Sequence, residues 1–164
     1  MSNEVAIYTA PAGVSLVDIR MDADRFPRIK TINAQSAVAR LCPVVAMAFV
    51  YTGRPAEEKK IEMIAAALYG ELLEDKRGLG TGNITIEEVA HAIKDAILSA
   101  TEDVYINIAF LYRAVCAYAE GEGHDAQQAA YRRKVAERQA AIAASPLGTL
   151  QAIYTTRTLK SSKQ

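Results

Sequence analysis

Residues 54–120, RPAEEKKIEMIAAALYGELLEDKRGLGTGNITIEEVAHAIKDAILSATEDVYINIAFLYRAVCAYAE, decide the fold, because they read as three consecutive amphipathic helices. Pro55 suits a first helical position, where its missing N–H costs nothing. Glu57 and Glu58 follow in the first turn, where carboxylates complement the helix dipole. Ile61, Ile64, Ala65, Leu68 and Leu72 recur at helical spacing, and the pattern predicts an end near Asp75, with Gly78 free to take positive φ. Thr85 to Glu88 form a capping box, with Ile84 and Val89 placed as a hydrophobic staple. Ile86, Val89, Ala90, Ile93, Ala96 and Ile97 make the buried face of that second helix. The third helix is expected to start at Thr101, with Glu102 and Asp103 in its first turn, and to end at Gly121 and Gly123. Val104, Ile108, Leu111, Val115 and Tyr118, broadened by Ile106 and Phe110, place it at the centre of the bundle.

Working outward toward the N-terminus, a helical pattern begins at Asn33 or Ala34 and carries Val38, Leu41 and Val45. Pro43 either kinks it or divides it. Residues 43–51 are nearly all apolar and read as a buried helix. Residues 20–30 are charged and read as a linker. Residues 5–8 and 14–19 are rich in β-branched side chains and flank Pro11-Ala12-Gly13. They suggest either a small hairpin leaning on the helices or an irregular arm. Toward the C-terminus, Asp125 is placed to cap a last helix running to Ala144, stopped by Ser145-Pro146. Its apolar strip, Tyr131, Val135 and Ile142, is thin. Residues 146–164 hold no acidic side chain and read as a loosely held tail. The fold class expected is all-α: a single-domain bundle of five or six helices with an N-terminal extended or hairpin segment. Its parts are an arm over 1–30, a helical domain over 31–144 and a flexible basic tail over 145–164.

The chain has 164 residues, 51% of them hydrophobic, which suits one domain with a real core. Nineteen basic residues balance nineteen acidic ones, so net charge gives no global pull toward nucleic acid or anionic lipid. The distribution is uneven. Residues 1–124 hold 12 basic and 17 acidic side chains, whereas residues 125–164 hold 7 and 2. A basic end on an acidic body is an interaction layout. Cys42 and Cys116 lie far apart in apolar helical patterns and read as reduced, buried thiols. The N-terminus lacks the pattern of a signal peptide, and the run 43–51 is about half of what a bilayer demands. The expectation is a soluble cytoplasmic protein with no membrane partner.

No catalytic or metal pattern stands out. His91 has Glu87 and Asp95 one turn to either side but no third ligand, so a solvated face is the simpler reading. Cys116 sits mid-helix on an apolar face, where a thiolate is disfavoured. The acidic pairs Glu57/Glu58, Glu87/Glu88 and Glu102/Asp103 all fall in expected first turns. The glycine-rich stretch 78–83 lacks the strand before it and the Gly-Lys-Ser/Thr after it that phosphate binding requires, and reads as a flexible connection. The helical tyrosines read as core-edge residues. Only Tyr131 interleaves with cations. Tyr131, Arg132, Arg133, Lys134 and Arg138, joined by Lys160 in the tail, are therefore the candidate partner- or nucleic-acid-binding residues.

Over residues 31–120 the order of pieces resembles a group of small helical proteins of phages and mobile elements of gut Bacteroidales. That group is distantly similar to phage helicase-loader and replication-accessory proteins. The resemblance rests on the Thr31-Ile32 lead-in, a short helix with Val38 and Arg40, and the buried helix from Val44 to Tyr51. A helix from Lys60-Ile61 to Leu73, the Ile84-to-Glu88 helix start and an apolar helix ending at Tyr118 complete it. The Gly- and aromatic-rich connection of that group is replaced here by Ser99-Ala100-Thr101-Glu102-Asp103, so no binding residue is carried over. The resemblance implies a non-enzymatic adaptor around DNA replication or transfer, with the tail as a partner-binding element; no cofactor is expected, and the partner expected is DNA or a protein such as a replicative helicase. The alternative is a homo-oligomeric structural protein whose basic end packs on a neighbour's acidic body.

Overall fold

Six α-helices are present among residues 6–145, which the computed structural model describes: α1 (Leu16–Met21), α2 (Ala34–Tyr51), α3 (Glu58–Glu74), α4 (Ile86–Leu98), α5 (Ile108–Glu120) and α6 (Glu122–Ala144). Single 3-10 turns occur at Ile29–Thr31 and Thr81–Asn83. The described residues contain no strand, only an isolated antiparallel bridge between Arg28 and Thr85. The protein is an all-α bundle. The chain divides after Gln127 into two units, a body and the remainder of α6, which are described separately.

The body is organised on α2 rather than on α5. Residues 44–49, Val-Val-Ala-Met-Ala-Phe, are all buried, and α2 packs against both α3 and α4. The expected central helix, α5, instead packs against α4 and α3 and leaves Ile108, Phe110 and Tyr112 only partly covered. Six consecutive buried residues carry the apolar surface of α2 around its full circumference at that level, whereas the bulk of α5 lies on one stripe. Pro43 neither divides nor ends α2, which runs unbroken through it. By length and mean hydropathy (1.4) α2 is also a helix that could cross a membrane, but here its apolar surface forms the bundle core. Each fully buried Leu or Val contributes about 1.5–3 kcal/mol relative to exposure.

The helix ends show which local signals prevail. Thr85 caps α4, its hydroxyl accepting from the Glu88 N–H at 3.2 Å while the Glu88 carboxylate accepts from the Thr85 N–H at 2.9 Å. Gly121 closes α5 as expected. Three starts move. Helix α3 begins at Glu58, three residues beyond Pro55. Helix α5 begins after Asn107, not Thr101, because the Asn107 side chain accepts from the Phe110 N–H at 2.8 Å. The preceding residues stay non-helical, with Ile106 buried and Tyr105 exposed. Helix α6 begins at Glu122, immediately after the residue that closes α5.

The N-terminal expectations need the largest correction. Residues 14–19 form no hairpin strand. Ser15 caps α1, and Asp18 completes the box by accepting from the Ser15 N–H at 3.2 Å. The alternation of apolar and polar side chains resembles a strand, but a capping box determines the backbone locally. Nor are residues 20–30 a linker. Ile19, Arg20, Phe26 and Ile29 are buried, and the Ile29 N–H donates to the Ile84 carbonyl at 2.9 Å. The arm assigned to residues 1–30 is, over its described part, built into the body. Ahead of α1 the chain is irregular, tied to α2 where the Tyr8 N–H donates to the Pro43 carbonyl at 3.1 Å.

What holds α1 is a buried ionic network. Arg20 Nε donates to Glu88 Oε1, the Tyr118 hydroxyl donates to the same oxygen at 2.7 Å, and Arg20 Nη1 donates to Gln127 Oε1 at 3.5 Å. Glu88 is fully buried and Arg20 nearly so. Burial, the Glu88 charge and the Glu88 hydrogen bond all push the Tyr118 phenol well above its ordinary value.

Arg20→Met leaves the buried Glu88 carboxylate without its cation. It is expected to lower stability by about 3–5 kcal/mol in urea denaturation, and adding Glu88→Gln should recover part of that loss. A second expectation concerns pH. Tyr118 is raised, and Tyr8 is pushed up to about 12, so the fold favours both neutral phenols. Their contribution is complete below the unfolded value of about 10 and is lost as pH rises beyond it. Urea midpoints should fall above pH ~10, and Tyr118→Phe should flatten that fall while costing stability at neutral pH.

Candidate functional site

The basic cluster lies on the second unit, residues 128–145, a continuation of α6. Its described side chains between Tyr131 and Ala144 are exposed except Val135, which is half-buried. Tyr131 is 66% exposed and Ile142 53%, so the strip that sequence spacing suggested as apolar is open to solvent. At ~100° per residue the cluster resolves into separate faces. Tyr131, Lys134 and Arg138 share one face with Val135 and Ile142. Arg132 projects to the side. Arg133 lies further round, where its Nε reaches Glu137 Oε1 at 3.3 Å in an exposed i,i+4 pair. Such a pair contributes only a few tenths of a kcal/mol.

Of the expected site residues, the helix therefore brings together Tyr131, Lys134 and Arg138. No ion pair engages Arg132, Lys134 or Arg138 among the described residues. Lys160 lies outside the described residues. The grouped face sets one aromatic ring beside two cations along about two turns, the arrangement in which a phosphate backbone and a base or apolar group can be met together.

Within the body, the start of α6 is sterically determined. A Cβ at Gly123 would stand 2.7 Å from Tyr118 Cε1 and 2.9 Å from the Tyr118 carbonyl oxygen. The ring cannot swing away without breaking its bond to Glu88. His91, read as a solvated helix residue, in fact reaches Glu122 at the start of α6, with Nε2 2.9 Å from Oε2. Among the described residues no cluster of three or more His, Cys, Asp or Glu side chains is arranged to hold a metal ion. The cysteines are both free. Cys116 is buried, whereas Cys42 is half-buried, with its thiol pushed up first by burial and then by Glu62 and Glu58. Neither meets the description of an activated nucleophile.

In the glycine-rich loop the Leu79 and Gly80 N–H groups are already engaged. Asp75 takes a left-handed conformation, φ 44°, at the end of α3. Its carboxylate accepts from the Leu79 N–H at 2.9 Å, the Gly80 N–H at 2.8 Å and the Thr81 hydroxyl at 3.2 Å. Burial pushes that carboxyl up. Hydrogen bonds from the Gly80, Leu79 and Thr81 backbones and from the Thr81 hydroxyl more than offset this, and it lies below its ordinary value. An aspartate thus occupies the place a phosphate would need. The loop expected to be flexible is a turn closed on Asp75, with Thr81 fully buried.

The acidic pairs divide by role. Glu57 and Glu58 sit at the start of α3, and Glu102 and Asp103 lie outside any helix. Glu88 combines its capping role with the buried pair to Arg20, which no local spacing announces. Gly123→Ala is expected to cost about 1–3 kcal/mol by thermal denaturation, with Tyr118 near-ultraviolet dichroism altered, because the new methyl meets a ring and a carbonyl that are both held in place. Comparison with protein-family models, with curated proteins and with solved structures finds no match to this chain.

Proposed function

We propose that this chain is a non-catalytic helical adaptor that binds DNA through the basic face of α6. The setting implied by its resemblance is DNA replication of a phage or mobile element, where a replicative helicase is the protein partner that fits. The observation that carries the reading is the grouping of exposed Tyr131, Lys134 and Arg138 on a helix with no ion pair to Lys134 or Arg138 among the described residues. Cations left without internal partners keep their full attraction for a polyanion, and an exposed ring beside them adds a stacking surface. The abrupt change from acidic to basic composition near residue 124 supports the same division of labour. It also favours the second reading, self-association of the basic end with a neighbour's acidic body.

Fluorescence anisotropy of the full chain with labelled single- and double-stranded oligonucleotides, across a salt series, separates the two. Binding that weakens with salt, and whose salt slope falls by about 2 on replacing Lys134 and Arg138 with Glu, supports the adaptor. Tyr131→Ala should weaken single-stranded binding by about 1–3 kcal/mol. Swapping Arg133 and Glu137 should leave both unchanged. No DNA retention at low salt, together with a salt-sensitive dimer in light scattering, replaces this reading with the oligomeric one.

A further inference from the structure

The body carries a groove of about 570 Å³ between the N-terminal segment, the C-terminal half of α2 and one face of α4. Val14, Leu16, Ile19 and Met47 supply apolar lining, and Glu87, His91, Lys94 and Glu122 supply charged and polar groups. That volume lies within the range of small-molecule sites, roughly 300–1,000 Å³. The walls are anchored: the Tyr8 N–H bonds to Pro43, the Ser15–Asp18 box holds the start of α1, and Arg20 is buried against Glu88.

Two groups lining this groove are left open. The Tyr8 hydroxyl is buried and has no hydrogen-bond partner among the described residues. The Glu87 carboxylate makes no hydrogen bond or ion pair among the described residues, yet its charge is felt at the Tyr8 phenol. The other charged groups are already engaged. His91 is bonded to Glu122, and the Lys94 ammonium lies over the Tyr51 ring, 5.8 Å from its centroid. Glu87 is thus the charged group of the lining left without a partner among the described residues.

The geometry points to a binding site for a small amphipathic amine, its apolar body along Val14, Leu16, Ile19 and Met47 and its protonated head at the Glu87 carboxylate. An ammonium brings three donors and no acceptor, which matches the Glu87 carboxylate, an acceptor that lacks a donor. Lys94 over Tyr51 is the protein's own example of an ammonium accepted by an aromatic wall of this groove. A carboxylate-headed ligand would face the unpaired Glu87, with Lys94 held over Tyr51 and His91 already bonded to Glu122. This site is independent of the basic face of α6.

The test is a titration of the full, isotope-labelled chain with n-octylammonium, octanoate and octanol, followed by amide chemical shifts. Saturable shifts are expected at Tyr8, Val14, Ala90 and His91 with octylammonium. Octanoate is expected to bind at least about tenfold more weakly, as an uncompensated like charge requires. Glu87→Gln should weaken octylammonium about tenfold and leave octanol unchanged. Met47→Trp, checked by circular dichroism to be folded, should abolish binding of all three by filling the groove. Octanoate binding as tightly as octylammonium, shifts spread evenly over the surface, or a Glu87→Gln variant that binds octylammonium unchanged would each overturn the assignment.

Discussion

The ion pair between Arg20 and Glu88 is the constraint on which the rest of the body depends. Removing two charges from water costs several kcal/mol per ion, and Coulomb attraction offsets this only where the remaining lone pairs and protons are also satisfied. Here they largely are. Glu88 accepts from Arg20, from the Tyr118 hydroxyl and from the Thr85 N–H. One carboxylate therefore starts α4, ties α4 to α5 and receives α1. Without it, α1, a helix of six residues, has too little length to persist by its own hydrogen bonds.

Consequences spread from that point through packing. Tyr118, held by Glu88, leaves room only for glycine at position 123, and so determines how closely α6 can follow α5. Arg20, held by Glu88, brings Ile19 and the irregular segment before it against α2 and α4, which creates the groove. Helix α2 supplies the apolar surface for this assembly. Its unbroken course through Pro43 shows tertiary burial outweighing a local penalty of about 3 kcal/mol, the usual effect of proline inside a helix.

The basic character of the end of the chain was legible from composition alone, since a run of cations after an acidic body needs no contact map. Spacing also shows that Tyr131, Lys134 and Arg138 fall on one face. The groove was not legible. Its lining comes from residues between Tyr8 and Glu122, separated by most of the chain, and each has an ordinary local explanation. Glu87 looks like a first-turn acid, His91 like a solvated helix residue and Tyr8 like part of a strand.

By itself the sequence determined the elements that rest on local hydrogen bonds and helical periodicity. These include the Thr85–Glu88 box, the apolar stripes of α3 and α4 and the glycine stop at Gly121, and with them the all-α class. Interactions within four residues act before any tertiary contact exists, so they leave a pattern that can be read. Only the tertiary structure decided that α2 is the centre and that residues 14–30 belong to the body. It alone also decided that Glu88 meets Arg20 across a separation of 68 residues. A buried charge pair is specified by the exclusion of water from the space between folded elements, and no local spacing carries that information.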